Sequence, residues 1–136
     1  MRIAAPLITK LEELLSNQDK PPMRVLLLEL AEFCRQGGYS LPSRATCYNF
    51  MSKARTPRYL PATLPQAARA ALYNLDADTA VPGHQLAFYC FNYGDLRAMS
   101  YAAGLPWLVL YQAARMRGFR PKSRGLLEAV LRARDI

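Results

Sequence analysis

Leu7, Ile8, Leu11, Leu14 and Leu15 recur at the three- and four-residue spacing of one helix face, which predicts a first helix over about Pro6–Ser16. Pro6 suits its first turn, where a backbone N–H has no helical partner to lose. Asn17 to Pro21 breaks the pattern as a linker. Val25, Leu26, Leu28, Leu30, Ala31 and Phe33 mark a second helix that opens at Pro22 and is stopped by Gly37 and Gly38. Tyr39-Ser40-Leu41 forms a turn, and Pro42 or Ser43 is placed to cap a third helix over Pro42–Ala54. Pro57, Pro61 and Pro65 demand a loop over Thr56–Pro65, with room for a short β wing near Thr56–Thr63. The alanine-rich stretch Gln66–Leu75 predicts a fourth helix, and Asp76–Gly83 a second linker. Helical spacing then returns over Gln85–Tyr93, Asp95–Ala103, Pro106–Arg117 and Ser123–Arg134, with Asp95 and Ser123 as cap candidates. β-Branched residues are few and no alternation persists. The expected fold class is therefore all-α, a compact helical domain of about eight helices. Its two halves, residues 1–78 and 79–136, are expected to share one core.

Composition narrows the choice of partner. The 136 residues are 51% hydrophobic, enough for a continuous core, and carry a formal net charge of +8. Such a charge suits a polyanionic partner, and its distribution sharpens the point. No acid occurs between Phe33 and Leu75, a span holding Arg35, Arg44, Lys53, Arg55, Arg58 and Arg69. None occurs between Leu96 and Leu127 either, where Arg97, Arg115, Arg117, Arg120, Lys122 and Arg124 lie. Cys34, Cys47 and Cys90 are odd in number and far apart, and His84 is the single histidine. No metal site, disulfide framework or cofactor is expected from them; each thiol reads as a small buried hydrophobe. No nucleophile or carboxylate is tied to His84 by spacing, so the chain does not read as an enzyme, and His84 itself reads as a cap or surface residue. The uncharged run Val81–Gly94 is too short and too polar to cross a bilayer, and the N-terminal stretch is no signal peptide.

Ser43-Arg44-Ala45-Thr46-Cys47-Tyr48-Asn49-Phe50 carries the functional signal. A helix that enters the major groove needs short polar residues at its start and apolar ones further along to hold it against its neighbour. The segment resembles the recognition helix of bacterial helix-turn-helix regulators, in which Ser-x-x-Thr-hydrophobe-Tyr is frequent. The resemblance implies that Ser43 caps the helix and touches phosphate, that Arg44 pairs with guanine, and that Thr46 meets phosphate or a thymine methyl. It places Tyr48 and Asn49 at the groove edge and turns Cys47 and Phe50 inward. The turn Gly37–Leu41 is roughly two residues longer than the tight form, which leans towards a winged-helix-like variant. Around this helix, Lys53, Arg55 and Arg58 are expected to clamp the adjacent backbone, with Arg115, Arg117, Arg120, Lys122 and Arg124 gripping phosphates further along.

The second half echoes the first as a tandem repeat would: Glu29, Gly38, Leu41-Pro42, Tyr48 and Asp76 have counterparts at Asp95, Gly104, Leu105-Pro106, Tyr111 and Asp135. Its would-be groove face, Pro106-Trp107-Leu108-Val109, reads bases poorly. Trp107 and Leu108 are instead expected in the core, or on a homodimer or protein-partner face. The reading that results is a cytoplasmic, nucleoid-associated DNA-binding protein of bacterial style, a small transcriptional regulator acting on double-stranded DNA. Two other classes stay open. One is a protein-binding adaptor (antiactivator, antitoxin or polymerase-binding factor) on a helix-turn-helix-derived fold. The other is RNA binding through the same basic helices; the aromatic series Phe88, Tyr89, Phe91 and Tyr93 also admits stacking on single strands, though a buried central helix explains it more simply.

Overall fold

The computed structural model describes residues 3–136 and contains eight α-helices among them. α1 (Ala5–Leu15) begins with no side-chain cap but buries Leu7, Leu11, Leu14 and Leu15. At about 1.5–3 kcal/mol for each such side chain, packing rather than capping holds this helix. α2 (Met23–Gly37) buries the stripe Leu26, Leu30 and Cys34. It ends where Gly38 turns left-handed, at a φ of 71°, a conformation that costs glycine nothing. The Tyr39 N–H then returns to the Cys34 carbonyl at 2.9 Å, and the Tyr39 ring stacks on Phe33. α3 (Arg44–Lys53) starts at Ser43, whose hydroxyl accepts the Thr46 N–H at 3.1 Å.

After α3 the chain forms β1 (Arg58–Tyr59), a 3₁₀ turn (Pro61–Thr63) and α4 (Gln66–Ala71). The strand lies where a wing was expected, but its partner is not a hairpin arm. β1 pairs antiparallel with β2 (Val81–Pro82), with Arg58 opposite Pro82 and Tyr59 opposite Val81. α4 stops four residues short of the expected Leu75. There the Leu72 N–H bonds the Arg69 carbonyl and the Leu75 N–H the Leu72 carbonyl, three residues back rather than four, so the helix tightens into turns before Asp76.

α5 (Gly83–Tyr93) follows β2 directly. A Cβ at Gly83 would lie 2.7 Å from Val109 and 3.2 Å from Tyr59, so only glycine admits this junction. α6 (Leu96–Ala103) is capped by Asp95, whose carboxylate accepts the Ala98 N–H at 2.9 Å. α7 (Trp107–Ala113) is shorter than the expected Pro106–Arg117, and α8 (Pro121–Ala133) opens earlier than Ser123. Ser123 is buried and makes no cap. Pro121 takes the first turn instead, as a residue with no N–H to satisfy.

Two apolar clusters share α7. Leu7, Leu11, Leu26, Leu30, Cys34, Cys47 and Met51 close on Trp107 and Leu108 from one side. Leu64, Ala68, Leu72, Leu86, Cys90, Phe91, Ala98 and Leu127 close on Val109, Leu110 and Ala113 from the other. Trp107 is 0% exposed and Leu108 5%, so the partner face expected at these residues is not available: the α1–α3 layer already covers it. Arg134 ties the linkers together. Its guanidinium donates to the carbonyls of Ala103, Leu105 and Gln18 and lies 3.6 Å from Asp19. No helix among the described residues is long and apolar enough to cross a membrane.

Candidate nucleic-acid interface

α3 is fixed from both ends. At its start Ser43 and Thr46 share a hydroxyl contact of 2.8 Å, so the Thr46 hydroxyl is engaged in the cap itself. At its far end the buried Gln112 side chain of α7 donates to the carbonyls of Met51, at 3.0 Å, and Ala54, at 2.8 Å. These are orphan acceptors of a helix end, and satisfying them docks α3 on α7. Cys47 and Met51 point into the core, while Arg44, Ala45, Tyr48 and Asn49 are exposed. Leu41, in the connection before α3, is exposed as well. Phe50 is half-buried against the α1–α2 cluster.

The expected backbone contacts fall into two groups. Lys53, Arg55 and Arg58 are exposed and gather with Ser52, Thr56, Pro82, His84 and Gln112 around one cleft of about 390 Å³. The second group lies around the α7–α8 connection. Asn92 accepts the Arg120 N–H at 2.9 Å and donates to the Gly118 carbonyl at 3.2 Å, which fastens this loop to the far end of α5. His84 and Asn92 are eight residues apart, so the two groups are separated by about 12 Å along the helix axis. Arg120 lies over the Tyr93 ring at 5.0 Å, and Arg115 over Tyr111 at 5.5 Å. Arg117 and Lys122 are exposed. Arg124 differs from the rest. It pairs with Glu128 at 3.0 Å, donates to the Ala114 carbonyl and lies over Phe119, so its side chain is spent on holding α8 to the end of α7.

Among the described residues, Arg44, Lys53, Arg55, Arg58, Arg115, Arg117, Arg120 and Lys122 have no carboxylate partner; the ion pairs fall on Lys10, Arg35, Arg124 and Arg134. The aromatic series on α5 divides. Phe91 is in the core, Phe88 and Tyr89 are half-buried, and Tyr93 is exposed beside Tyr73.

Two residues of this surface carry no local sequence signal. His84 reaches the cleft because β1 and β2 pair, which sets Arg58 opposite the residue two before it. Burial, and next the Arg58 charge, hold its imidazole below the ordinary histidine range. Gln112 reads in the sequence as one polar position in an apolar helix, and only the packing shows that it grips α3. The chain matches no protein-family model, no curated protein and no solved structure.

Proposed function

We propose that the chain binds duplex DNA, with α3 in the major groove and the cations around it on the phosphate backbone. The observation that carries this reading is the split character of α3. Its inner face is locked by Cys47, Met51 and Gln112, while its outer face presents Arg44, Tyr48 and Asn49 free of internal partners. A helix held so firmly, with base-reading side chains near its start and unneutralised cations beyond its end, fits major-groove readout. The buried α7 fits no such role, so one recognition helix is available per chain. One helix reads only a few base pairs, so pairing of two copies on DNA suits the reading of the chain as a small transcriptional regulator.

The test is fluorescence anisotropy with random duplex DNA at low and high salt. Tight binding that weakens steeply with salt is expected, because neutralised phosphates release counterions. At a selected site, Arg44→Ala is expected to cost about 1–3 kcal/mol and relax preference at one position. Arg117→Ala is expected to weaken all sequences alike and flatten the salt slope. A folded protein that ignores DNA at low salt defeats the reading, and stronger binding to RNA than to duplex DNA moves it to the RNA class.

A further inference from the structure

The end of α3, the loop after it and the start of α5 enclose the cleft of about 390 Å³ already described. Three cations, Lys53, Arg55 and Arg58, line it with His84, and no Asp or Glu does. Like charges brought together in a concavity repel, and none of the three has an ion-pair partner among the described residues. The Nδ1 of His84 is buried with no hydrogen-bond partner, a polar atom left unsatisfied. Gln112 closes the wall, its amide N–H groups already committed to the end of α3.

We propose that this cleft is a binding site for a phosphate group, held by Arg55, Arg58 and Lys53 with Thr56 as a further hydrogen-bonding group and His84 on the cleft wall. A guanidinium fork matches two phosphate oxygens at once, and the lysine adds a mobile point charge. The volume exceeds what a bare phosphate fills and lies within the range of small-molecule pockets, which begin at about 300 Å³. A sugar-sized attachment therefore has room. Phosphate of this kind comes either from a nucleic-acid backbone or from a small phosphorylated molecule. The site itself does not depend on whether α3 reads bases.

His84 is the only histidine, so its ring signals in proton NMR report on the cleft without ambiguity. The full chain is titrated with inorganic phosphate, with a nucleoside monophosphate and with the unphosphorylated nucleoside. Saturable shifts of His84 are expected with the first two and none with the third. Arg58→Gln is expected to weaken the nucleotide by about tenfold or more, the loss of a charge-assisted hydrogen bond. Arg55→Gln serves as the second variant should the first fail to fold. Arg97→Gln, an exposed cation of α6 outside the cleft, is expected to change nothing. Absence of a saturable shift in the unaltered chain overturns the proposal, and so does equal weakening by Arg97→Gln. Competition then assigns the source. Displacement of duplex DNA by the nucleoside monophosphate gives the site to the backbone, and simultaneous binding gives it to a free ligand. A chain that binds phosphate here but no DNA retains the site and loses the DNA-binding function.

Discussion

His84 meets Arg58 through backbone pairing rather than through any spacing in the chain, because Arg58 and Pro82 are partners across the two strands. The imidazole is partly withdrawn from water and faces Arg58, with Lys53 and Arg55 on the same cleft. Both effects disfavour its charged form, burial more than the arginine. The unfolded chain therefore takes up the proton first as pH falls through the ordinary value of 6.5. The stability due to this residue is present above that pH and is lost below it. Its NMR titration is expected to show a midpoint below 6.5. Arg58→Ala is expected to move that midpoint upwards by only part of the shift, since burial remains. A full return to the ordinary value in that variant would show that charge, not burial, sets the imidazole.

At the scale of the element, α3 depends on two side chains of different origin. Ser43 is local, a cap whose replacement by alanine is expected to cost about 0.5–2 kcal/mol. Gln112 is distant in sequence and leaves two helix-end carbonyls bare when lost. Gln112→Leu is expected to cost about 1–3 kcal/mol and also to loosen the loop that carries Arg55. Urea unfolding followed by Trp107 fluorescence reads both variants, because this single tryptophan is buried in the cluster that α3 joins. An unchanged midpoint for Gln112→Leu would mean that α3 is held by its apolar contacts alone. These two residues also mark what the sequence could reveal. Helices with a strong apolar stripe, and caps such as Ser43 and Asp95, are legible because their causes lie within a few residues. The outward set Arg44, Tyr48 and Asn49 is legible for the same reason. The early ends of α4 and α7 are not. After α4 the Leu72 N–H bonds Arg69, and after α7 the Arg115 and Met116 N–H groups bond Gln112 and Ala113, three residues back rather than four, so both helices end in tightened turns. Lys53, Arg55 and Arg58 are legible as one clamp because they lie within six residues, whereas the cleft around them is not, since strand pairing and Gln112 assemble it.

For the whole molecule the decisive element is α7, apolar on both faces and shared by the two clusters. Neither cluster keeps its wall if the other lets α7 go, so the chain is expected to unfold as one cooperative unit. The cysteines give a direct reading. Cys34 and Cys47 lie in the first cluster and Cys90 in the second, all three buried and free. Burial raises each thiol above its ordinary value, Cys90 to about 12. In the unfolded chain the thiols ionise near 9.0, while the native chain keeps its protons longer. The native state is thus favoured below that pH and loses this contribution as pH climbs from 9.0 towards about 12. At neutral pH the folded thiols should resist alkylation. With rising urea, mass spectrometry of alkylated peptides is expected to show Cys34, Cys47 and Cys90 becoming reactive over the same transition. Reaction of Cys90 well before or after the other two would show that the clusters open separately and that α7 stays with only one of them. In that case the surface around α3 would be a property of the first cluster alone, and the cleft, which needs both β1 and the start of α5, would open when the second cluster does.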